Sequence, residues 1–171
     1  MKTKLIKSTA EADSKRIEFV FGYGSIRTDL GNYGVVPKSL KSVGFGHIPF
    51  ALYKILNPWG VWAGVKEDER GSTYGEVFFI QHKKWGLFDL DGREGAHPWF
   101  PIPAYSRKAI NVKMRDGRTI RAWVYFANPK RVKFLKKVET GNWASEIDPS
   151  KTKLTNAWNL RKLVALEKRY A

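Results

Sequence analysis

The chain opens its patterned region with Ile17-Glu18-Phe19-Val20-Phe21, a run rich in β-formers that stops at Gly22. Such a run bounded by glycine predicts a strand. Residues 25–32 then read as a turn with a short helical start. From Leu40 to Tyr53 small and apolar positions alternate, interrupted by Gly44, Gly46 and Pro49, which predicts strand, turn, strand. Asn57-Pro58-Trp59-Gly60 carries turn residues, and Val61–Val65 is a short apolar strand before a polar loop at Glu67–Gly71. Thr73–Ile80 predicts another strand. His82–Leu90 places Trp85, Leu87, Phe88 and Leu90 at a spacing suited to a short helix on a sheet, with Gly86 weakening it.

The second half is punctuated more sharply. Ala96–Ala104 holds three prolines and two large aromatics and reads as a stiff loop. Tyr105–Met114 alternates, Asp116-Gly117 is a strong hairpin signal, and Ile120–Phe126 pairs back across it. Asn128-Pro129 has the form of a helix start, so the apolar spacing of Arg131–Val138 predicts a helix ended by Gly141-Asn142. Thr155 or Asn156 would cap a last helix running to Tyr170, with Leu160, Leu163, Val164 and Leu166 packing on the body. The sum is a strand-dominated α+β chain. Its length fits a single domain over 1–171, with 1–15 a flexible lead-in and 146–171 a basic helical extension.

Composition narrows the chemistry. The chain has no cysteine, which excludes disulfides, thiolate nucleophiles and cysteine zinc sites. His47, His82 and His97 have no metal-ligand spacing, so no metal is expected. No apolar run approaches the roughly 20 residues of a membrane-spanning helix, and the first residues lack a secretory pattern. These features predict a cytoplasmic protein. The net charge is +15, and residues 104–171 carry 17 Lys/Arg against 5 Asp/Glu. A face of that sign attracts nucleic acid or acidic partners, or simply keeps the protein soluble.

Two short signatures stand out. Phe21-Gly22-Tyr23-Gly24-Ser25 is a strand running into a glycine-flanked turn, where several backbone N–H groups can face one ligand. Glycines there allow unusual φ values and close approach. Leu90-Asp91-Gly92-Arg93-Glu94-Gly95 sets a carboxylate beside a flexible residue. Walled by Trp85, Trp99 or Phe100, Glu94 would be partly desolvated, and its raised pKa would suit a general base. The plainer alternatives are a turn that only redirects the chain and a solvated surface glutamate.

Together the signatures, with Gly75-Glu76-Val77-Phe78, Tyr105–Val112, Asp116-Gly117 and Ala122-Trp123-Val124-Tyr125 in order, give a pattern that resembles the γ-glutamylcyclotransferase-like family. The resemblance spans about residues 17–145. It implies a mixed, largely antiparallel β-barrel with peripheral helices. It further implies a cyclotransferase that converts a γ-glutamyl amide or peptide to 5-oxoproline and a free amine, without a cofactor. In that scheme Glu94 is the acid/base, and Tyr23, Gly24, Ser25, Ile26 and Tyr105 bind the substrate. The alternative is a non-catalytic relative whose basic face engages nucleic acid or an acidic protein.

Overall fold

The computed structural model describes residues 17–57, 60–94, 96 and 103–170. Six strands form one sheet: β1 (Phe19–Gly22), β2 (Leu40–Asn57), β3 (Gly60–Ile80), β4 (Tyr105–Met114), β5 (Thr119–Ala127) and β6 (Lys133–Lys137). Strand β1 pairs antiparallel with β3, β3 with β2, β2 with β4 and β4 with β5; β5 then runs parallel to β1. That circuit closes a five-stranded mixed barrel, and β6 adds to β2 outside it. The α+β barrel with peripheral helices expected from the resemblance is the fold observed.

Period-2 alternation sorts side chains onto the barrel's two faces. Along β5, Ala122, Val124 and Phe126 join an inner core with Phe21, Ile48, Leu52, Val65, Val77 and Val112. Trp123, Tyr125 and Ala127 point the other way, into a second cluster with Val20, Phe78, Ile80 and Leu90. Burial on both faces explains why β5 reads as a nearly continuous apolar run. Leu90 belongs to helix α1 (Lys83–Arg93), which lies over this second cluster. Gly86 lets α1 come close, because a methyl there would sit 2.7 Å from Ile80 Cγ2.

Three expectations are corrected. Residues 40–57 form one strand, not strand, turn, strand. Gly44, at φ +139°, and Pro49 fall at register shifts, so the breakers produce bulges within an 18-residue strand. The polar stretch Glu67–Gly71 is likewise strand, because Lys66 and Arg70 pair with Ala51 and Phe50. Residues 133–137 are strand rather than helix. Asn128 uses its carbonyl to accept the Arg131 and Val132 amides and its Oδ1 to accept the Lys130 amide. That local turn redirects the chain, and Tyr53–Leu56 offers a free edge to Lys133–Lys137. Tertiary pairing here overrides helical spacing.

Helix α2 (Lys153–Tyr170) begins earlier than the expected caps, with Thr152 Oγ1 accepting the Thr155 amide at 3.3 Å. Asn156 instead clips the preceding turn: its Oδ1 accepts the Asp148 amide at 2.8 Å and its NH2 donates to the Asp148, Lys151 and Thr152 carbonyls. Ala157 packs against Gly60, and Leu160 and Val164 reach the inner core. Leu163 and Leu166, expected to pack, are exposed. The short helical start expected at 25–32 is a single 3-10 turn at Gly31–Tyr33. Of the remaining expectations, the lead-in, Pro58-Trp59 and the prolines of the 96–104 loop before Pro103 lie outside the described residues. No helix among the described residues is long and apolar enough to cross a membrane.

Candidate active site

The turn after β1 is held from behind by side chains that come from far along the chain. Tyr23 is buried, and its hydroxyl donates to the Tyr125 carbonyl at 2.6 Å. The Ser25 carbonyl accepts the Val35 amide at 2.7 Å. Two residues on, the buried Arg27 guanidinium forms a two-pronged pair with Asp29 (2.9 and 2.7 Å) and donates to Asn142 Oδ1 at 2.8 Å. Thr28 gives its amide and hydroxyl to the fully buried Glu76 carboxylate of β3, at 2.7 and 2.8 Å. Ser42 Oγ completes that carboxylate's partners at 2.5 Å. Each contact fixes the path of the loop, so the turn enters the site as a rigid element.

The glycines of the turn work by close approach alone. Neither Gly22 nor Gly24 has a positive φ, contrary to the sequence expectation of special φ values. A methyl on Gly22 would lie 2.0 Å from the Ile26 carbonyl oxygen, so the turn can fold back on itself only around hydrogen. At Gly24 the nearest atom to such a methyl is Ala63 Cβ, 3.3 Å away. Among the described residues, the amides of Gly24 and Ser25 donate to no partner.

Glu94 arrives from the opposite side. It caps the C-terminal end of α1, with its amide bonded to the Leu90 carbonyl at 2.9 Å. The helix is anchored by Leu90 and by Asp91, whose Oδ1 accepts the Tyr125 hydroxyl at 2.6 Å and Arg107 Nε at 2.9 Å. Asp91 therefore ties α1 to the barrel. Asp89 stays on the surface beside Arg93.

The two signatures line one narrow hollow of about 30 Å³, bounded by residues 20–26, Tyr33, Trp62, Ala63, Glu94, Tyr105, Tyr125 and Lys153. A second, wider chamber of about 180 Å³ shares Ser25, Ile26, Glu94 and Lys153 with it and adds Val35 and Arg93. Tyr23, Gly24, Ser25, Ile26, Glu94 and Tyr105 are thus brought together. The Tyr105 hydroxyl donates to the Ala63 carbonyl at 2.7 Å, rather than to the glutamate. The walls expected for Glu94, the Trp85 side chain, Trp99 and Phe100, lie outside the described residues. The aromatic walls described here are Tyr23, Tyr33, Trp62, Tyr105 and Tyr125.

Burial against these rings pushes the Glu94 pKa up, and the positive charges of Lys153 and Arg93 partly oppose the rise. Burial also lifts the Tyr23, Tyr105 and Tyr125 phenols well above their usual range, so these rings stay neutral. Lys153 is moved the other way: desolvation lowers its pKa, opposed by the nearby Glu94. Among the described residues no group of three or more His, Asp or Glu side chains is placed to hold a metal. The site therefore offers one carboxylate with a raised pKa, a row of backbone amides, neutral phenols and one lysine. That set can move a proton and steady a developing oxyanion.

The barrel finds its counterparts among known proteins. Residues 20–145 match the family described as "Gamma-glutamyl cyclotransferase, AIG2-like". The chain belongs to that family. It is 34% identical over 113 residues to "Putative gamma-glutamylcyclotransferase" of Methanocaldococcus jannaschii, covering 64% of this chain and 84% of that protein. Two solved structures share the fold: one titled "Gamma-glutamyl cyclotransferase" (TM-score 0.52, 16% identity) and an uncharacterized protein from Homo sapiens (TM-score 0.52, 19% identity). Each is covered over 70% of its length by 70% of this chain. Membership supports cyclotransferase-like activity on a small molecule as a class.

Sequence pattern does not single out Arg27, Asp91, Tyr125 or Lys153 as contributors to the site, and it presents Glu76 only as part of a strand. Glu76 had a usable signal, a carboxylate embedded in the apolar run Tyr74-Gly75-Glu76-Val77-Phe78. Lys153 had none, being one lysine in a basic segment.

Proposed function

We propose that the protein is a cofactor-independent cyclotransferase that converts a γ-glutamyl amide or peptide to 5-oxoproline and a free amine. The observation that supports this reading is that one hollow, in this family's barrel, is lined by both Glu94 and the amide-bearing turn 22–26. Glu94 takes a proton from the substrate's α-amino group as that nitrogen attacks its own γ-carbonyl carbon. A C–N bond forms, the ring closes, and the carbonyl oxygen gains negative charge that the Gly24 and Ser25 amides can face. Glu94 then returns the proton to the departing nitrogen as the original amide bond breaks. No water is consumed, and atoms and charge balance.

Nucleophile and electrophile sit in one molecule, so the protein's task is to hold the chain folded for ring closure. The raised pKa of Glu94 fits both halves of the cycle, since the group must accept a proton and give it back near neutral pH. The test is direct. Purified protein incubated with a panel of γ-glutamyl amines and peptides releases 5-oxoproline, and Glu94→Gln does not. Release by Glu94→Gln at the wild-type rate, or no release from any member of the panel, defeats the reading.

A further inference from the structure

One half-buried cation has no part in that cycle. Lys153 opens α2, beyond the family-matched stretch that ends at residue 145. It lines both the inner hollow and the outer chamber. Its ammonium lies 3.7 Å from the centre of the Trp62 ring, so the ring holds the side chain in place. Among the described residues it forms no ion pair within 4.0 Å. It also occupies the first turn of a helix, where the macrodipole disfavours positive charge. A lysine that is desolvated, fixed over an aromatic ring and left without a direct counter-ion gains from an anionic ligand.

The two chambers indicate where that anion sits. Ser25, Ile26, Glu94 and Lys153 are common to both and therefore flank the passage between them. With the γ-glutamyl group against the turn 22–26 and the reacting carbonyl at Glu94, the departing amine extends into the outer chamber. That chamber presents two cations, Lys153 and Arg93, of which Arg93 already shares a surface pair with Asp89 at 3.3 Å. We propose that Lys153 is a specificity-determining residue that binds a carboxylate carried by the leaving amine. Acidic leaving groups, such as amino acids with a free carboxylate, are then preferred over uncharged amines. The inference rests on the cyclotransferase reading for its placement of the substrate.

The experiment compares two ligands that differ in that one group: γ-glutamyl-alanine and γ-glutamyl-alaninamide. Wild-type kcat/KM for 5-oxoproline release is about tenfold or more higher for the carboxylate substrate. Lys153→Met, which keeps the stem over Trp62, brings the ratio close to one, and Lys153→Arg restores most of it. Because the readout is a ratio within each variant, loss of folded protein does not affect it. No preference in the wild type, or a preference that survives Lys153→Met, overturns the proposal. Equal loss on both substrates also overturns it, since that assigns Lys153 to the shared glutamyl carboxylate.

Calorimetric binding of the same two ligands to Glu94→Gln and to Glu94→Gln/Lys153→Met separates the two readings. If no variant forms 5-oxoproline but the carboxylate ligand binds at least tenfold tighter only when Lys153 is present, the cyclotransferase reading fails and the carboxylate site stands. Equal binding of both ligands, or binding of neither, removes the site.

Discussion

Two glutamates, one on the barrel wall and one at the end of α1, illustrate opposite uses of a carboxylate. Glu76, on β3, is fully buried and has its oxygens occupied by the Thr28 amide, the Thr28 hydroxyl and the Ser42 hydroxyl. Glu94, after α1, is only partly buried, and among the described residues nothing donates to it. A buried carboxylate whose two oxygens already accept three donors is a structural tie, because little of its accepting capacity is left for a substrate. A carboxylate in a hollow, with a raised pKa and free oxygens, is chemically available. The first holds the loop in place, and the second faces that loop across an open space.

The contrast breaks apart under substitution, and the largest effect belongs to Glu94. Replacing Glu94 with Gln lowers kcat for 5-oxoproline release by about 10²–10⁴-fold, the usual contribution of a general acid/base, while leaving cooperative unfolding intact. Replacing Glu76 with Ala acts through stability. It removes the carboxylate that ties Thr28 to Ser42 and costs about 1–2 kcal/mol, read by urea denaturation. Gly22→Ala tests the loop that both glutamates face. A methyl 2.0 Å from the Ile26 carbonyl forces the turn open, at a cost of about 1–3 kcal/mol with a rise in KM. If Glu76→Ala proved fully stable yet inactive, the division of labour between the two carboxylates would be reversed.

The smallest effect is the pH dependence. The charged groups facing Glu94 are Lys153 and Arg93, and both hold its pKa down against burial; the phenols around it stay neutral. The acidic limb of kcat/KM therefore lies above the ordinary glutamate value of 4.5 and moves further up in Lys153→Met. Stability follows the same sign. A raised folded-state pKa means folding favours the protonated form, so this contribution is present below the unfolded value and is lost as pH rises through the folded one. Glu94→Gln should thus raise Tm near neutral pH, and the gain should shrink on acidification. An acidic limb at or below 4.5 would contradict the enclosed character of this carboxylate.

Much of this was legible from local patterns. Tyr105–Met114, Asp116-Gly117 and 119–127 form the hairpin that the alternation and turn residues announce. Gly22–Ile26 and Glu94 come together as the paired signatures imply. The long β2–β3 hairpin was hidden because Gly44, Pro49 and Glu67–Gly71 carry breaker chemistry, which a two-stranded ladder absorbs as bulges and exposed positions. Strand β6 was hidden because its pairing edge, Tyr53–Leu56, lies some eighty positions away in the sequence. Arg27, Glu76 and Lys153 take their roles from partners distant in the chain, and no local window contains both halves of such a contact.

The most direct measurement is a crystal structure of Glu94→Gln with an intact γ-glutamyl substrate bound. The account predicts the substrate's α-amino nitrogen within hydrogen-bonding distance of the residue 94 side chain, about 2.6–3.2 Å, and its γ-carbonyl oxygen turned to the Gly24 and Ser25 amides. Substrate bound outside the hollow, or with its amino group directed away from position 94, would contradict it.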